Sequence, residues 1–491
     1  MSMIRKVIIA AGALVCVLAA IIAIRTAMFN PEPTANIDGI KIDPVPKVDI
    51  ATAAMRLGRI IQFKTISHQD PSENQTEEWS NQQRWLELTY PTVAKTMHRE
   101  IVGVGTLIYS WEGSDPALPA IILMAHQDVV PIEAGSEKAW KYPPFSGQIA
   151  DDAIWGRGAL DDKGSLIALF ESLEALAKSG FSPRRTIYLV SGHDEEVGGS
   201  GAQAAAKLLE SRGVKAQFTL DEGGAVSSEV PSINGPVIMI GVAEKGYATL
   251  RVAARTQGGH SSMPSHDLAA VNLAKAIVAI NDHPFRSELR PPVSSFLALM
   301  ALQSDVKTRM AIANRWLFEG AIVNKMASTA PGAAMLHTTI APTMLSASPK
   351  ENVLPQIASA LINYRIAPWQ TSSDIMKQTR EAVGGIPVEL NWNAPPHEPS
   401  PVSSWQSEGW KFIHASIASD FQGAPAYPVL VLGTTDSRYF KNISKDTYRI
   451  FPTLLKSSDS NLVHGNNEHI EINNFGRAIA IYERLIVTAT K

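Results

Sequence analysis

Short runs of apolar residues alternate with amphipathic stretches over most of the chain, and this pattern predicts an α/β protein. Apolar runs typical of buried strands occur at 120–125, 186–191 and 216–220, whereas 165–179 and 201–211 have the spacing of helices. Strand–helix–strand repeats of this kind predict a largely parallel sheet covered by helices. Polar side chains follow directly after the strands, where open α/β sheets place their binding crevice.

The pattern changes from about residue 246, where the strand-like runs alternate in polarity and fewer helices separate them. Strands and helices of this part are predicted at 247–255, 268–281, 335–345, 360–368, 372–383 and 388–393. A helical insertion interrupts them at about 291–327. Because the α/β pattern returns after residue 396, we predict an inserted, smaller α+β lid domain at 246–396, between two parts of a catalytic domain at 49–245 and 397–491.

The N-terminal residues differ from the rest of the chain. An uncharged run at 7–24 lies between basic residues and is long enough for a slightly short membrane helix. No small-x-small cleavage motif follows it directly, so we predict an uncleaved signal anchor at 1–28 with the catalytic part on the non-cytoplasmic side. Secretion after cleavage of a signal peptide is the alternative. The proline-rich stretch 29–48 is predicted to link the anchor to the domain.

The composition limits the partners, the metal ligands and the hydrolase classes that this chain can have. The net charge of −3 provides no basic surplus for nucleic acid, so no nucleic-acid partner is expected. Cys16 is the single cysteine and lies in the apolar run, so the rest of the chain has neither a disulfide nor a thiolate ligand, and any metal must be held by His, Asp and Glu. A serine hydrolase with a G-x-S-x-G elbow and an HExxH zinc protease are both disfavoured, because neither motif occurs.

Acidic and histidine residues cluster after the strands. The clusters are His126-Gln127-Asp128, Asp161-Asp162, His193-Asp194-Glu195-Glu196, Asp221-Glu222, His260 and His464-Gly465-Asn466-Asn467-Glu468. Taken singly, each has a structural alternative: a hydrogen-bonded loop, a helix N-cap or a solvated turn. A phosphate-binding loop is excluded near Asp161, because Lys163 precedes Gly164 and two carboxylates occupy the loop. Paired glutamates after a buried strand favour a metal ligand beside a general base.

Seven motifs together resemble the M20 metallopeptidase and aminoacylase family, with the closest likeness to its carboxypeptidase S branch, which includes N-fatty-acyl-amino-acid hydrolases. The motifs are MAHQDVVP, WGRGALDDKGS, GHDEEVGG, LDEGG, GGHSSMP, NVLP and HGNNE, in the family's order. They extend from about residue 60 to the C-terminus. The resemblance implies a zinc-exopeptidase-like mixed sheet flanked by helices, with the inserted domain acting as a lid.

The resemblance also implies roles for individual residues. The zinc ligands would be His126, Glu196, Asp221 and His464, with Asp161 bridging two ions and followed by a cis peptide. Asp128 would orient His126, Glu195 would be the general base, and His260 would hydrogen-bond the oxyanion. Asn352, Arg365 and Gly433 would bind the substrate. At the LDEGG motif we favour Asp221 over Glu222 as the ligand, because Asp221 directly follows the strand and its neighbour would point to the other face.

The function predicted on this basis is hydrolysis of an amide bond next to a free carboxylate, by a hydroxide shared between two zinc ions, with Co²⁺ or Mn²⁺ as alternatives. The substrate would be a small peptide or an N-acyl amino acid. Two other hypotheses are the reverse condensation in the same site and an inactive membrane-anchored binding module. The apolar insertion at 291–327 either lines a channel for an acyl chain or packs as ordinary helix; the sequence leaves both open.

Overall fold

The computed structural model describes residues 3–230, 233–456, 459 and 461–491. The chain divides into two compact units. The larger unit comprises Thr34–Ala243, Val402–Val431 and Thr435–Lys491, and the smaller unit comprises Met1–Pro33, Glu244–Pro401 and Leu432–Thr434. The predicted lid, 246–396, lies within the long segment of the smaller unit, Glu244–Pro401. It begins two residues after the start of this segment and ends five residues before its end. The N-terminal segment, which we predicted to stand apart, groups with the smaller unit.

The larger unit is built on mixed sheets covered by helices, which confirms the predicted α/β class. Its helices are α2 (Ile50–Ile61), α3 (Thr76–Thr89), α4 (Pro91–Thr96), α5 (Lys163–Lys178), α6 (Ser200–Ser211), α13 (Glu408–Ala418) and α14 (Ile472–Thr490). Its strands are β1 (His98–Val102), β2 (Thr106–Trp111), β3 (Ala120–Met124), β4 (Gln148–Ala150), β5 (Ala153–Trp155), β6 (Ile187–Ser191), β7 (Ala216–Asp221), β8 (Ala225–Ser227), β9 (Val237–Glu244), β16 (Ala426–Val431), β17 (Thr447–Arg449), β18 (Leu454–Leu455) and β19 (His469–Glu471).

The main sheet has the strand order β1-β2-β6-β3-β7-β17-β9-β8-β18, with β16 also paired to β9. Strand β3 lies in its middle and pairs in parallel with both β6 and β7. All five residues of β3 are buried, as expected for a strand that helices cover on both faces. Ile121 and Leu123 pack into one core and Ile122 and Met124 into another, so alternation along a single strand serves two layers of helices.

The smaller unit contains a four-stranded antiparallel sheet, two helices on it, and a helical insertion. Its strands are β10 (Gly246–Arg255), β11 (Gly259–His260), β12 (Thr339–Ser346), β13 (Val353–Leu354), β14 (Ile357–Ile366) and β15 (Val388–Trp392). Its helices are α1 (Met3–Ala27), α7 (Ala269–Asn281), α8 (Val293–Met300), α9 (Val306–Ala313), α10 (Arg315–Ala327), α11 (Ala330–Ala334) and α12 (Ser372–Val383). The sheet order is β12-β14-β10-β15, and α7 and α12 share its core.

Two details differ from the sequence predictions. The insertion extends to Ala334 rather than to about residue 327, because Thr329 accepts a hydrogen bond from the Gly332 amide and caps a further short helix that has Pro331 in its first turn. The segment predicted as a linker also makes contacts of its own. The Ala35 amide donates to the Trp405 carbonyl, and Val45 and Val48 pack against the core of the larger unit.

Candidate metal and active site

Loops that follow three neighbouring strands carry most of the candidate residues. His126 follows β3 and Glu222 follows β7, while Glu195 and Glu196 begin a short 3₁₀ turn, Glu195–Val197, after β6. Because β3, β6 and β7 are parallel, their carboxyl ends lie at the same edge of the sheet. Asp161 reaches this edge from the loop that leads into α5. The topology therefore places acids and imidazoles that are distant in sequence at one place.

The first group of potential ligands consists of His126, Asp161 and Glu222, whose donor atoms all lie within 4.8 Å of one another. His126 Nε2 is 2.8 Å from Asp161 Oδ1 and 3.6 Å from Glu222 Oε1. All three side chains are at least four-fifths buried. One imidazole and two carboxylates in this arrangement form a donor set that zinc accepts.

The second group consists of Asp161, Glu196 and His464, again within 4.8 Å. His464 Nε2 lies 3.0 Å from Asp161 Oδ2 and 3.2 Å from Glu196 Oε2. Asp161 belongs to both groups and directs a different oxygen to each histidine, as a bridging carboxylate would. The Asp161–Asp162 peptide is cis, as the resemblance implied.

Glu222, rather than Asp221, joins the first group, which differs from our prediction. Asp221 directs its carboxylate elsewhere: Oδ2 accepts from the Ser437 amide at 2.8 Å and Oδ1 from the Glu222 amide at 3.0 Å. Asp221 and Glu222 face different partners, as alternation predicts, but alternation alone does not say which of the two faces the ligand group.

Asp128 organises two parts of the site. Its Oδ1 is 3.3 Å from His126 Nδ1, and the Asp128 backbone carbonyl is 3.0 Å from the same nitrogen. An Nδ1 proton shared with these oxygens leaves Nε2 facing the ligand group, the usual arrangement for a histidine ligand. Asp128 also accepts from the amides of Glu195 and Glu196 at 3.1 and 3.2 Å, and from Ser67 Oγ at 2.6 Å. One buried carboxylate thus fixes a ligand and the turn that carries the proposed base.

The electrostatics of the two groups favour cations. Burial and the charge of Asp161 raise the pKa values of both Glu196 and Glu222. Hydrogen bonds to Asp161 and Glu196 raise the pKa of His464 to about 10. Glu196 Oε1 is buried, yet it has no hydrogen-bond partner within the described residues. Three carboxylates and two imidazoles at these distances are a donor set that one or two divalent cations would neutralise.

Glu195 is close to the ligand groups but belongs to neither. Burial raises its pKa well above the ordinary value, and the nearby charge of Asp436 raises it further. Arg438 is also close, with Nη1 3.7 Å from Glu195 Oε1. The Arg438 guanidinium is itself held by the carbonyls of Thr435 and Gly198. A buried carboxylate with a raised pKa and a fixed cationic neighbour is suited to accept and return a proton.

Glu468 is a structural part of the site that our sequence analysis did not assign, although it lies in the HGNNE motif. It is fully buried and pairs with Arg157 at 2.7 Å. Its Oε1 accepts from the amides of Gly158, Leu160 and Asp161 at 2.9–3.1 Å. Glu468 therefore holds the loop that presents Asp161.

The other predicted residues belong to the smaller unit. His260 is exposed on β11, which pairs with β13, and the Ser261 amide donates to the Asn352 carbonyl at 3.2 Å. His260 Nδ1 accepts from the Ser262 amide at 3.1 Å, which leaves Nε2 protonated in the neutral ring and able to donate. Arg365 lies on β14 with its guanidinium over the ring of Tyr247 at 4.7 Å, and Gly433 is exposed. Their roles toward a substrate stay predictions.

Comparison with known proteins agrees with the family resemblance of the sequence motifs. A profile described as "Peptidase family M20/M25/M40" matches residues 122–488. The chain is 34% identical to the probable carboxypeptidase S-like 2 of Dictyostelium discoideum, over 92% of this chain and 87% of the relative. It is 33% identical to the human N-fatty-acyl-amino acid synthase/hydrolase, over 87% and 86% of the two chains.

Among solved structures, the fold is similar to that of an M20 family metallo-carboxypeptidase from Sulfolobus solfataricus. The TM-score is 0.67 at 19% identity, with 88% of this chain and 98% of that chain covered. At this identity the likeness concerns the fold alone, and it agrees with the predicted mixed sheet flanked by helices.

Proposed function

The chain belongs to peptidase family M20/M25/M40 and is an enzyme of the metallopeptidase and amidohydrolase type, and from this premise we propose that it hydrolyses an amide bond next to a free carboxylate with the help of two divalent cations, by preference zinc. The observation that carries the proposal is the position of Asp161, whose two oxygens each face a different ligand group. A carboxylate shared in this way is what a two-cation site needs.

In this proposal His126 and Glu222 hold one cation, Glu196 and His464 hold the other, and Asp161 bridges them. Two such cations would polarise the scissile carbonyl and make a shared water acidic. The protein's own contribution is to fix the five donors before substrate arrives. Asp128 and Glu468 serve this purpose, because they anchor the His126 ring and the Asp161 loop with buried hydrogen bonds.

Glu195 moves the proton. Its carboxylate takes a proton from the attacking water and returns it to the nitrogen of the leaving amine, so that the amide bond breaks to a carboxylic acid and an amine. The raised pKa of Glu195, caused by burial and by Asp436, supports this role, because a carboxyl group that is easily protonated is a better proton carrier near neutral pH. Arg438 keeps the carboxylate in place.

We assign substrate binding to the smaller unit. His260 would donate from Nε2 to the oxyanion that forms when water adds to the carbonyl, and its Nδ1 contact with Ser262 supports this tautomer. Arg365, Asn352 and Gly433 would bind the substrate's carboxylate and carbonyl groups. Small peptides and N-acyl amino acids both carry the required amide next to a carboxylate. The human relative is named a synthase/hydrolase, which favours the reverse condensation as a second activity of the same site.

We also propose that α1 anchors the enzyme in a membrane, with the catalytic part on the non-cytoplasmic side. Helix α1 is the one helix in the described residues that is long and apolar enough to cross a bilayer, with a mean hydropathy of 3.1. Basic residues precede its apolar run, which favours a cytoplasmic N-terminus. Secretion after cleavage is the alternative, and N-terminal analysis of the mature protein distinguishes the two.

The substrate class can be tested by following release of the free amino acid from a panel of dipeptides and N-acyl amino acids of increasing chain length. The zinc-loaded enzyme, a chelated sample and a sample reloaded with zinc are compared. We expect hydrolysis that is lost on chelation and restored by zinc. Full activity in a chelated sample shown to contain no metal would refute the two-cation proposal, and a strict preference for dipeptides would exclude long acyl substrates.

A matched pair of variants tests the ligand assignment. Glu222→Gln should lower the zinc content below two per chain, because the amide is a poor ligand in place of the carboxylate. Asp221→Asn should retain zinc, since Asp221 receives backbone hydrogen bonds instead of joining the ligand group. The opposite result, with zinc lost only in Asp221→Asn, would restore our original assignment.

A further inference from the structure

The helical insertion contacts α1 within the smaller unit. Helix α9 contacts α1, and a stripe of α1 side chains at four-residue spacing, Leu18, Ile22 and Thr26, is half-buried while most of the helix surface is exposed. Asn314, which is completely buried, donates from Nδ2 to Thr26 Oγ1 at 3.1 Å and to the Ile22 carbonyl at 3.3 Å. These bonds fix the insertion beside one face of α1.

The depth of this contact matters if α1 crosses a bilayer. The apolar run of α1 ends at Ile24, and the stripe begins at Leu18, six residues earlier. At a helical rise of about 1.5 Å per residue, Leu18 lies about 9 Å below the end of the apolar run. Helices that lie in the interface bury their apolar faces by about 5–10 Å. A side chain in contact with Leu18 would therefore lie at the depth of an interfacial helix.

The exposed surface of the insertion has the chemistry of such a helix. Leu302, Val306, Trp316 and Leu317 are 38%, 75%, 55% and 44% exposed. Tryptophan is enriched at membrane interfaces, because its ring is amphipathic. Between 302 and 327 the basic residues outnumber the acidic ones. The basic residues are Lys307, Arg309, Arg315 and Lys325, and the acidic ones are Asp305 and Glu319. A small basic surplus next to apolar side chains suits a surface with anionic lipids.

We propose that the insertion helices form a second membrane contact, in which Leu302, Val306, Trp316 and Leu317 lie in the interface of the bilayer that holds α1. The inference rests on the proposed membrane anchor. A phospholipid bilayer is the occupant of this apolar surface, because the surface is continuous with the helix that would cross the bilayer and is bonded to it through Asn314. The smaller unit is thereby fixed to the membrane along its insertion as well as at its N-terminus.

The test uses the full chain in phospholipid nanodiscs of phosphatidylcholine and phosphatidylglycerol. Cys16→Ala removes the single cysteine, and one cysteine is then introduced as Ile8→Cys, Trp316→Cys or Leu88→Cys and labelled with an environment-sensitive fluorophore. Leu88 is the matched control, an apolar side chain 74% exposed on α3 of the larger unit. Lipids with quenchers on their acyl chains report which labels reach the bilayer. Retained zinc-dependent hydrolysis shows that each variant is folded.

We expect strong quenching of the labels at positions 8 and 316 and several-fold weaker quenching at 88. Quenching at 8 with none above the control level at 316 would overturn the second contact and leave the anchor intact. If the label at 8 is not quenched, the proposed anchor itself is overturned, and the second contact with it. The hydrolytic function is measured separately and is not affected by either outcome.

Discussion

In the larger unit the side chains of His126 and Asp161 are nearly buried and are held by several protein atoms, whereas His260 and Asn352 in the smaller unit are exposed and held by few. The first set has hydrogen bonds that fix its geometry before any ligand arrives. The second set has free surface through which a substrate can bind. In the proposed mechanism the larger unit would preorganise the chemistry, while the smaller unit would supply groups whose interactions form only with substrate.

The largest effect is expected from changing Glu195, the proposed base of the larger unit. Glu195→Gln should lower kcat by about 10²- to 10⁴-fold, because the amide cannot carry the proton. The zinc content should stay near two per chain, since Glu195 belongs to neither ligand group. Turnover and metal analysis on the same preparation check both statements. Retained turnover would remove Glu195 from the mechanism.

The corresponding test in the smaller unit is the variant His260→Ala. Loss of one oxyanion donor is expected to lower kcat by about 10²- to 10³-fold, with zinc content unchanged. His283→Ala is the control, because His283 is also an exposed histidine of the smaller unit, and its ring hydrogen-bonds to the Ala279 carbonyl; the backbone carbonyl that accepts from Gln378 is kept in the variant. Loss of zinc in His260→Ala would mean that this residue is a ligand, and the contrast between the two units would then fail.

A smaller effect on the site is expected from changing Asp128, which positions the candidate ligand His126 but belongs to neither ligand group. Asp128→Asn keeps the shape of the side chain but weakens the contact with His126 Nδ1. We expect zinc affinity to fall by about 10- to 100-fold. Competition with a chelator of known affinity measures this change, and kcat at saturating zinc separates it from a direct effect on catalysis. An unchanged affinity would show that the His126 ring is positioned without Asp128.

The smallest effect on turnover is expected from a buried acid outside the site. Glu483 lies on α14 with 1% of its surface exposed, and burial raises its pKa to about 8. An acid with a raised folded-state pKa contributes stability below the unfolded-state pKa, and this contribution is lost as pH rises from about 4.5 to about 8. Glu483→Gln should therefore flatten the pH dependence of unfolding and stabilise the protein by about 2–4 kcal/mol at pH 8.

Chemical denaturation between pH 5 and 9 measures this stabilisation. Glu210→Gln, which changes an exposed glutamate on α6, is the control and should follow the unaltered protein. A Glu483→Gln curve parallel to that of the control would contradict the assignment of the slope to Glu483.

The sequence by itself determined the elements and the chemistry of the site. The apolar run of β3 predicted a strand that is buried on both faces, and the acids and histidines after β3, β6 and β7 predicted a site at one edge of the sheet. Periodicity and motif order are local properties, so they can be read along the chain. The predicted helix at 372–383 coincides with α12 for the same reason, because its Thr371 capping box marks the start locally.

Only the tertiary structure decided which oxygen faces which partner. Asp221 accepts from the Ser437 amide, which comes from a distant part of the chain, whereas Glu222 faces His126. Glu468 supports Asp161, and Asn314 bonds to α1, across about three hundred residues of sequence in each case. Side-chain direction and contact at such separations follow from how the elements pack, and no local pattern contains that information.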